Sequence, residues 1–151
     1  MRRFTRPRKR GKTGLNSNSD PPKLNILLVE DDTSTRRFIK SALTRCFPYC
    51  QVDEAAEGND ARIILETLRY NVVLCDWDIP GMSGGDILRW MRQHPHLSKT
   101  PFIMITGFKD AEHVLQAKQY GVSDYIVKPI TIDVLLKKIQ NVSPDFEEKS
   151  F

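Results

Sequence analysis

The sequence predicts an α/β protein, a doubly wound parallel sheet with helices on both faces. Three observations carry this expectation. Five short apolar runs alternate with helical patterns across residues 23–142, the order produced by consecutive βα units. The runs are near-continuous in Val, Ile and Leu, as strands buried on both faces are. A barrel of eight such units needs about 250 residues, far more than this region provides.

The first strand is read over residues 24–29 and ends in Glu30-Asp31-Asp32. A helix over 34–46 follows, with Phe38, Ile39, Ala42, Leu43 and Cys46 recurring at a helical period. A weaker second strand lies near 51–54, and Ala61, Ile64, Leu65 and Leu68 line one face of the next helix. The third strand, 72–75, delivers Asp76 to its end, where Trp77-Asp78-Ile79-Pro80-Gly81 takes over as a loop. Gly84-Gly85 opens a short helix carrying Ile87, Leu88 and Met91. The fourth strand, 101–105, runs into Thr106, and the helix near 110–120 stops at Gly121, a residue suited to the left-handed turn that ends helices. The fifth strand, 123–127, runs into Lys128-Pro129. Thr131 then caps a last helix with Val134, Leu135 and Ile139 on its buried side.

Charge divides the chain into unequal parts. Residues 1–12 hold seven Arg or Lys and no acid, so a formal net charge of +4 becomes −3 over the rest. Residues 1–22 therefore read as a basic arm with a flexible linker of Gly, Ser, Asn and Pro, 23–142 as the folded domain, and 143–151 as a short tail. The arm lacks a recognition helix, interleaved aromatics or zinc ligands. Specific DNA reading is not expected of it, whereas contact with an acidic surface is. With 40% apolar and 28% charged residues the composition is that of a water-soluble globule. No apolar run approaches the ~18 residues of a membrane span. No hydrophobic segment follows the basic N-terminus, so no secretory signal is expected. Three cysteines, Cys46, Cys50 and Cys75, do not make a disulfide framework and suit a reducing cytoplasm. Cys46 and Cys50 lack a second ligand pair and so do not read as a zinc site.

The chemistry is concentrated where strands end. Carboxylates at Glu30, Asp31 and Asp76 repel one another unless a cation joins them, and oxygen donors suit a hard metal ion. Lys128 adds a fixed positive charge and Thr106 a hydroxyl, which makes Asp76 a candidate phosphate acceptor. The plainer alternatives are a solvated acidic turn at Glu30-Asp31-Asp32 and a strand-ending Asp76. Asp32, just past the pair, reads as surface charge.

Four segments together resemble the receiver domain of bacterial response regulators: Ile26-Leu27-Leu28-Val29-Glu30-Asp31-Asp32, Asp76-Trp77-Asp78-Ile79-Pro80-Gly81-Met82-Ser83-Gly84, Ile105-Thr106-Gly107 and Asp124-Tyr125-Ile126-Val127-Lys128-Pro129. They occur in order across 23–142, and Asp-Trp-Asp-Ile-Pro with Arg36-Arg37 is most similar to stand-alone chemotaxis-type regulators. The resemblance implies a (βα)5 receiver fold with strand order 2-1-3-4-5 and Asp76 as phosphoacceptor for a histidine kinase or phosphotransfer domain. It implies Mg2+ held by Asp31, Asp76 and the Asp78 backbone carbonyl, with Glu30 acting through water. Lys128, on a cis Lys-Pro bond, becomes the phosphoryl clamp, Thr106 the phosphoryl sensor and Tyr125 the aromatic switch. The output would be altered affinity for a downstream effector on the face formed by the fourth helix, fifth strand and fifth helix.

The chain departs from chemotaxis regulators at Asp78, where they carry Asn, and has Phe108 at the variable position two past Thr106. Gly107 fits the small position beside the phosphoryl path. His94 and His96 read as a wet loop, and His113 as a residue of the partner-facing helix. Two other function classes remain open: a pseudo-receiver that binds partners regardless of phosphorylation, and a Mg2+-dependent phosphohydrolase of diffusible substrates.

Overall fold

The computed structural model describes residues 23–107 and 111–146. The basic arm, Phe108 and the end of the C-terminal tail lie outside the described residues. Ten elements alternate along the chain: β1 (Leu24–Val29), α1 (Thr33–Cys46), β2 (Cys50–Ala55), α2 (Gly58–Thr67), β3 (Val72–Asp76), α3 (Gly84–Gln93), β4 (Phe102–Thr106), α4 (Ala111–Gln119), β5 (Asp124–Val127) and α5 (Ile132–Val142). The strands form one parallel sheet of order β2-β1-β3-β4-β5, which is the doubly wound arrangement expected. Its register matters for chemistry. Val29 lies opposite Cys75, Asp76 opposite Ile105, and Thr106 opposite Val127, so the groups that follow these strands meet at one sheet edge.

Successive side chains on β1 point to opposite faces. Ile26 and Leu28 enter a core with Ile39, Leu43, Leu135 and Ile139, beneath α1 and α5. Leu27 and Val29 enter a second core with Ala61, Leu65, Ile87 and Met91, beneath α2 and α3. Each fully buried aliphatic side chain contributes about 1.5–3 kcal/mol of transfer free energy, so both faces hold the sheet.

Three residues assigned to helix cores lie outside them. Phe38, Leu68 and Val134 are 43%, 51% and 42% exposed. Phe38 occupies the flank of α1 beside Ile130. Leu68 follows the last turn of α2 as its C-cap, its N–H donating to Ile64 O. Val134 is rotated by about 100° from Leu135, and only the latter reaches the core. Gly121 does end the α4 segment, with φ of +89°, and the Val122 N–H reaches back to Ala117 O at 3.0 Å.

Loops at the far end of the sheet are tied by Arg92. Its Nε donates to Gly121 O at 2.8 Å and its Nη1 to Thr100 O at 2.8 Å and Leu97 O at 3.3 Å. Arg92→Ala leaves these partly buried carbonyls without a charged donor and should lower stability by about 2 kcal/mol. Urea denaturation would register this as a lower midpoint.

Candidate functional site

Glu30, Asp31, Asp76, Thr106 and Lys128 each end or follow a strand, whereas Tyr125 lies within β5. The Trp77 N–H donates to Ile105 O at 2.9 Å and the Lys128 N–H to Thr106 O at 2.8 Å, extending the ladder past Asp76 and Val127. Gly84 lets α3 close onto the end of β3: a Cβ there would strike the Asp76 carbonyl oxygen. The Lys128-Pro129 bond is cis.

Asp76 and Glu30 are buried. Lys128 Nζ donates to Asp76 Oδ2 at 2.6 Å and lies 3.1 Å from Glu30 Oε1. The second contact is off the hydrogen-bonding directions, so Glu30 Oε1 has an ion-pair neighbour without an aligned donor. Asp76 Oδ1 accepts from the Asp78 N–H at 2.9 Å, and Glu30 Oε2 from the Asp32 N–H at 3.1 Å. Burial pushes the Glu30 carboxyl up to about 7; the Asp32 N–H opposes this, the Asp76 charge adds to it, and Lys128 opposes it again. Burial pulls the Lys128 ammonium down, but Asp76 and then Glu30 outweigh this and raise its pKa. Lys128 thus remains a cation at neutral pH.

Glu30, Asp31 and Asp76 each offer an oxygen, all within 4.8 Å of one another, with Asp31 exposed and the other two buried. One lysine cannot balance three carboxylates. The uncapped Glu30 Oε1 and the all-oxygen donor set therefore fit a hard divalent cation. Thr106 is buried beside this edge, while Asp78 is exposed and is tied to Asp76 through its backbone N–H. Tyr125 is half-buried against the second core, with Lys138 Nζ 5.8 Å from its ring centre. A Cβ on Gly107 would meet Lys128 Cδ at 4.0 Å, an ordinary contact, so the fold itself leaves room for a methyl group there.

Asp32 has more than a surface role. Its carboxylate caps α1, accepting from Thr35 N at 2.8 Å and Thr35 Oγ1 at 2.7 Å, and these bonds hold its pKa below the usual range. Asp-x-x-Thr at the start of a helical pattern is a legible cap signal. His113 stacks on Trp77 with ring centres 4.7 Å apart, a contact across chain segments that spacing does not reveal. His94 lies edge-on to Trp90. A cavity of about 610 Å³ lies at the opposite end of the sheet beside Tyr70, Lys99, Pro101 and Phe146, away from the acidic cluster. Among the described residues no helix is long and apolar enough to cross a membrane.

A doubly wound sheet with buried acids and a lysine gathered beyond its strand ends defines the class of protein. Residues 26–140 match the model of the response regulator receiver domain, and the chain belongs to that family. It is 35% identical over 119 residues to the chemotaxis protein CheY of Pseudomonas aeruginosa, covering 79% of this chain and 95% of that protein. Chemotaxis protein CheY-3 of Vibrio cholerae is likewise 35% identical, over 79% of this chain and 91% of the relative. Among solved structures, the chemotaxis response regulator CheY4 of Vibrio cholerae superposes with a TM-score of 0.74 at 27% identity, covering 80% of this chain and 99% of that one. The chain is thus a receiver domain of the CheY-like kind.

The raised Glu30 pKa fixes the sign of a pH effect. Between about 4.5 and about 7 the folded protein retains a proton that the unfolded chain releases. Metal-free stability should therefore fall as pH rises through that window and level off above it. The loss should be on the order of 1–3 kcal/mol. Denaturation at about pH 5 and about pH 8 should show this loss in the wild type and a flatter profile in Glu30→Gln.

Proposed function

We propose that the domain is a Mg2+-dependent phosphoryl acceptor in a two-component pathway, modified on Asp76 by a histidine kinase or phosphotransfer domain in the cytoplasm. The carrying observation is the buried Asp76 carboxylate, 2.6 Å from Lys128 Nζ and grouped with Glu30 and Asp31. In this reading Asp31, Asp76 and the Asp78 backbone carbonyl hold Mg2+, with Glu30 acting through water. The bound ion would supply positive charge to the phosphoryl oxygens. An Asp76 oxygen attacks phosphorus, the bond to the donor imidazole nitrogen breaks, and that nitrogen leaves with the bonding pair and takes up a proton. The product is an acyl phosphate on Asp76.

During the attack Lys128 moves its hydrogen bond from Asp76 Oδ2 to a phosphoryl oxygen, offsetting charge that grows in the transition state. Thr106 senses the new group, which carries about −1.5 to −2 charges and strong acceptor oxygens. Tyr125 responds, and the α4–β5–α5 face changes its affinity for a protein effector. The close Asp76–Lys128 contact supports this reading; a silent pseudo-receiver would instead bind its partner regardless of phosphorylation.

Incubation with acetyl phosphate and Mg2+ should add one phosphoryl group to the wild type and none to Asp76→Asn, read by intact mass. An unmodified wild type, under conditions that modify a control receiver, overturns the assignment. Turnover of many phosphate monoesters would instead make the protein a phosphohydrolase.

The arm, residues 1–22, is proposed to be an auxiliary contact for an acidic partner surface. Its deletion should leave Mg2+ affinity and Asp76 phosphorylation unchanged, because the reacting groups begin at Glu30. Partner binding should lose part of its salt dependence, since exposed charges are screened over about 8 Å near physiological ionic strength. Phosphorylation rates and binding at two salt concentrations test both halves.

A further inference from the structure

Glu30 and Asp31 lie on the short connection between β1 and α1. Their carboxylates can hold a fixed spacing only if that connection is itself held. The Asp32 cap secures its far end. Its near end is secured by Arg36, one turn into α1. The Arg36 Nη1 donates to Glu30 O at 2.7 Å, and its Nε donates to Glu54 Oε1 on β2 at 3.1 Å. Glu54 Oε2 in turn accepts from Lys40 Nζ at 2.9 Å. One planar guanidinium therefore ties the end of β1 to α1 and β2, with its side chain 19% exposed.

The carbonyl that Arg36 grips belongs to the peptide joining Glu30 to Asp31. That unit is planar, so its orientation helps set the directions in which both carboxylates leave the backbone. We infer that Arg36 is a positioning residue for the acidic cluster, fixing the Glu30–Asp31 peptide so that its carboxylates move little, and that this rigidity favours Mg2+ over Ca2+. The inference rests on the reading that the cluster binds Mg2+. It adds a source of selectivity outside the carboxylates themselves. Mg2+ demands near-ideal octahedral geometry, whereas Ca2+ accepts variable ligand number and longer bonds. A loosened Glu30–Asp31 peptide is thus a greater handicap for Mg2+.

Charge alone predicts the opposite sign. Arg36 is a cation near three acids, and its removal by electrostatics should raise affinity for any dication. A fall in Mg2+ affinity therefore distinguishes positioning from charge. The anchoring of α1 offers a further separation, because Ile39, Ala42 and Leu43 are buried on their own account and keep the helix docked when the fork is lost.

Calorimetric titration of the full chain with Mg2+ and, separately, Ca2+ provides the test, with thermal unfolding recorded alongside. Arg36→Met should weaken Mg2+ binding by about tenfold, within the range for groups that orient metal ligands. Ca2+ binding should change by less than about threefold. Glu54→Gln weakens one side of the fork and should give a smaller loss; because removing an acid also lowers affinity by charge, only a greater loss for Mg2+ than for Ca2+ counts toward positioning in this variant. Arg36→Lys should restore only part of the affinity, because an ammonium does not reproduce the two-pronged geometry. Arg36→Lys, which keeps the charge, carries the test if Arg36→Met does not fold. Unchanged or tighter Mg2+ binding in the variants, or parallel weakening of Mg2+ and Ca2+, overturns the inference while leaving the Mg2+ reading intact. A wild type that binds no Mg2+ overturns both.

Discussion

The contact of Lys128 with Asp76 and Glu30 is the interaction around which the site is arranged. Carboxylates gathered at the edge of a buried sheet repel each other and lose hydration. A cation 2.6 Å from one and 3.1 Å from the other lets them remain close. The compensation is incomplete, as Glu30 shows: its carboxyl stays raised to about 7 despite the neighbouring ammonium. Lys128 retains 30% side-chain exposure, so it keeps part of its hydration and can turn toward an incoming anion. A fully enclosed pair would hold the acids together but would resist that exchange.

The rest of the fold supplies the spacing. Parallel pairing aligns the ends of β1, β3, β4 and β5, and the two apolar cores fix the sheet from both sides. The connections are then trimmed to suit. Gly84 admits α3 against the Asp76 carbonyl, and Asp32 begins α1 immediately after the acidic pair. Arg36 closes the β1 end with bonds to Glu30 O and Glu54. The backbone around the acids is thus held by its neighbours, while both Asp76 oxygens and Glu30 Oε2 already accept hydrogen bonds that a cation or phosphoryl group would have to displace or share.

Much of this was legible in the sequence because it depends on local pattern. Apolar runs with abrupt polar ends located the strands, and an acid or lysine following a run located the site. The strand order came from resemblance to receiver domains, since βα alternation alone permits several orders. Helix faces were less secure at their margins: Phe38, Leu68 and Val134 have the residue type of a core but the phase or end position of a surface. Asp32 reads as surface charge when the helix is begun at residue 34; with α1 starting at Thr33, the same Asp-x-x-Thr becomes its cap. The Arg36 bond to Glu30 O and the Trp77–His113 stack depend on tertiary distance and have no local signature.

Two contact routes leave Asp76, and they differ in what they can convey. Through β4, the Thr106 position is joined to Lys128 by a backbone hydrogen bond, and Tyr125 follows on the neighbouring strand. Through the chain itself, Trp77 stands next to Asp76, and its ring lies between Gly85 and His113. A Cβ on Gly85 would come within 2.8 Å of that ring, so the α3 side has little slack. Trp77 is thus in contact with α4 through His113, and the end of β4 is joined to β5 through the sheet. The two connections are mechanically distinct, one made by side-chain stacking and one by the sheet.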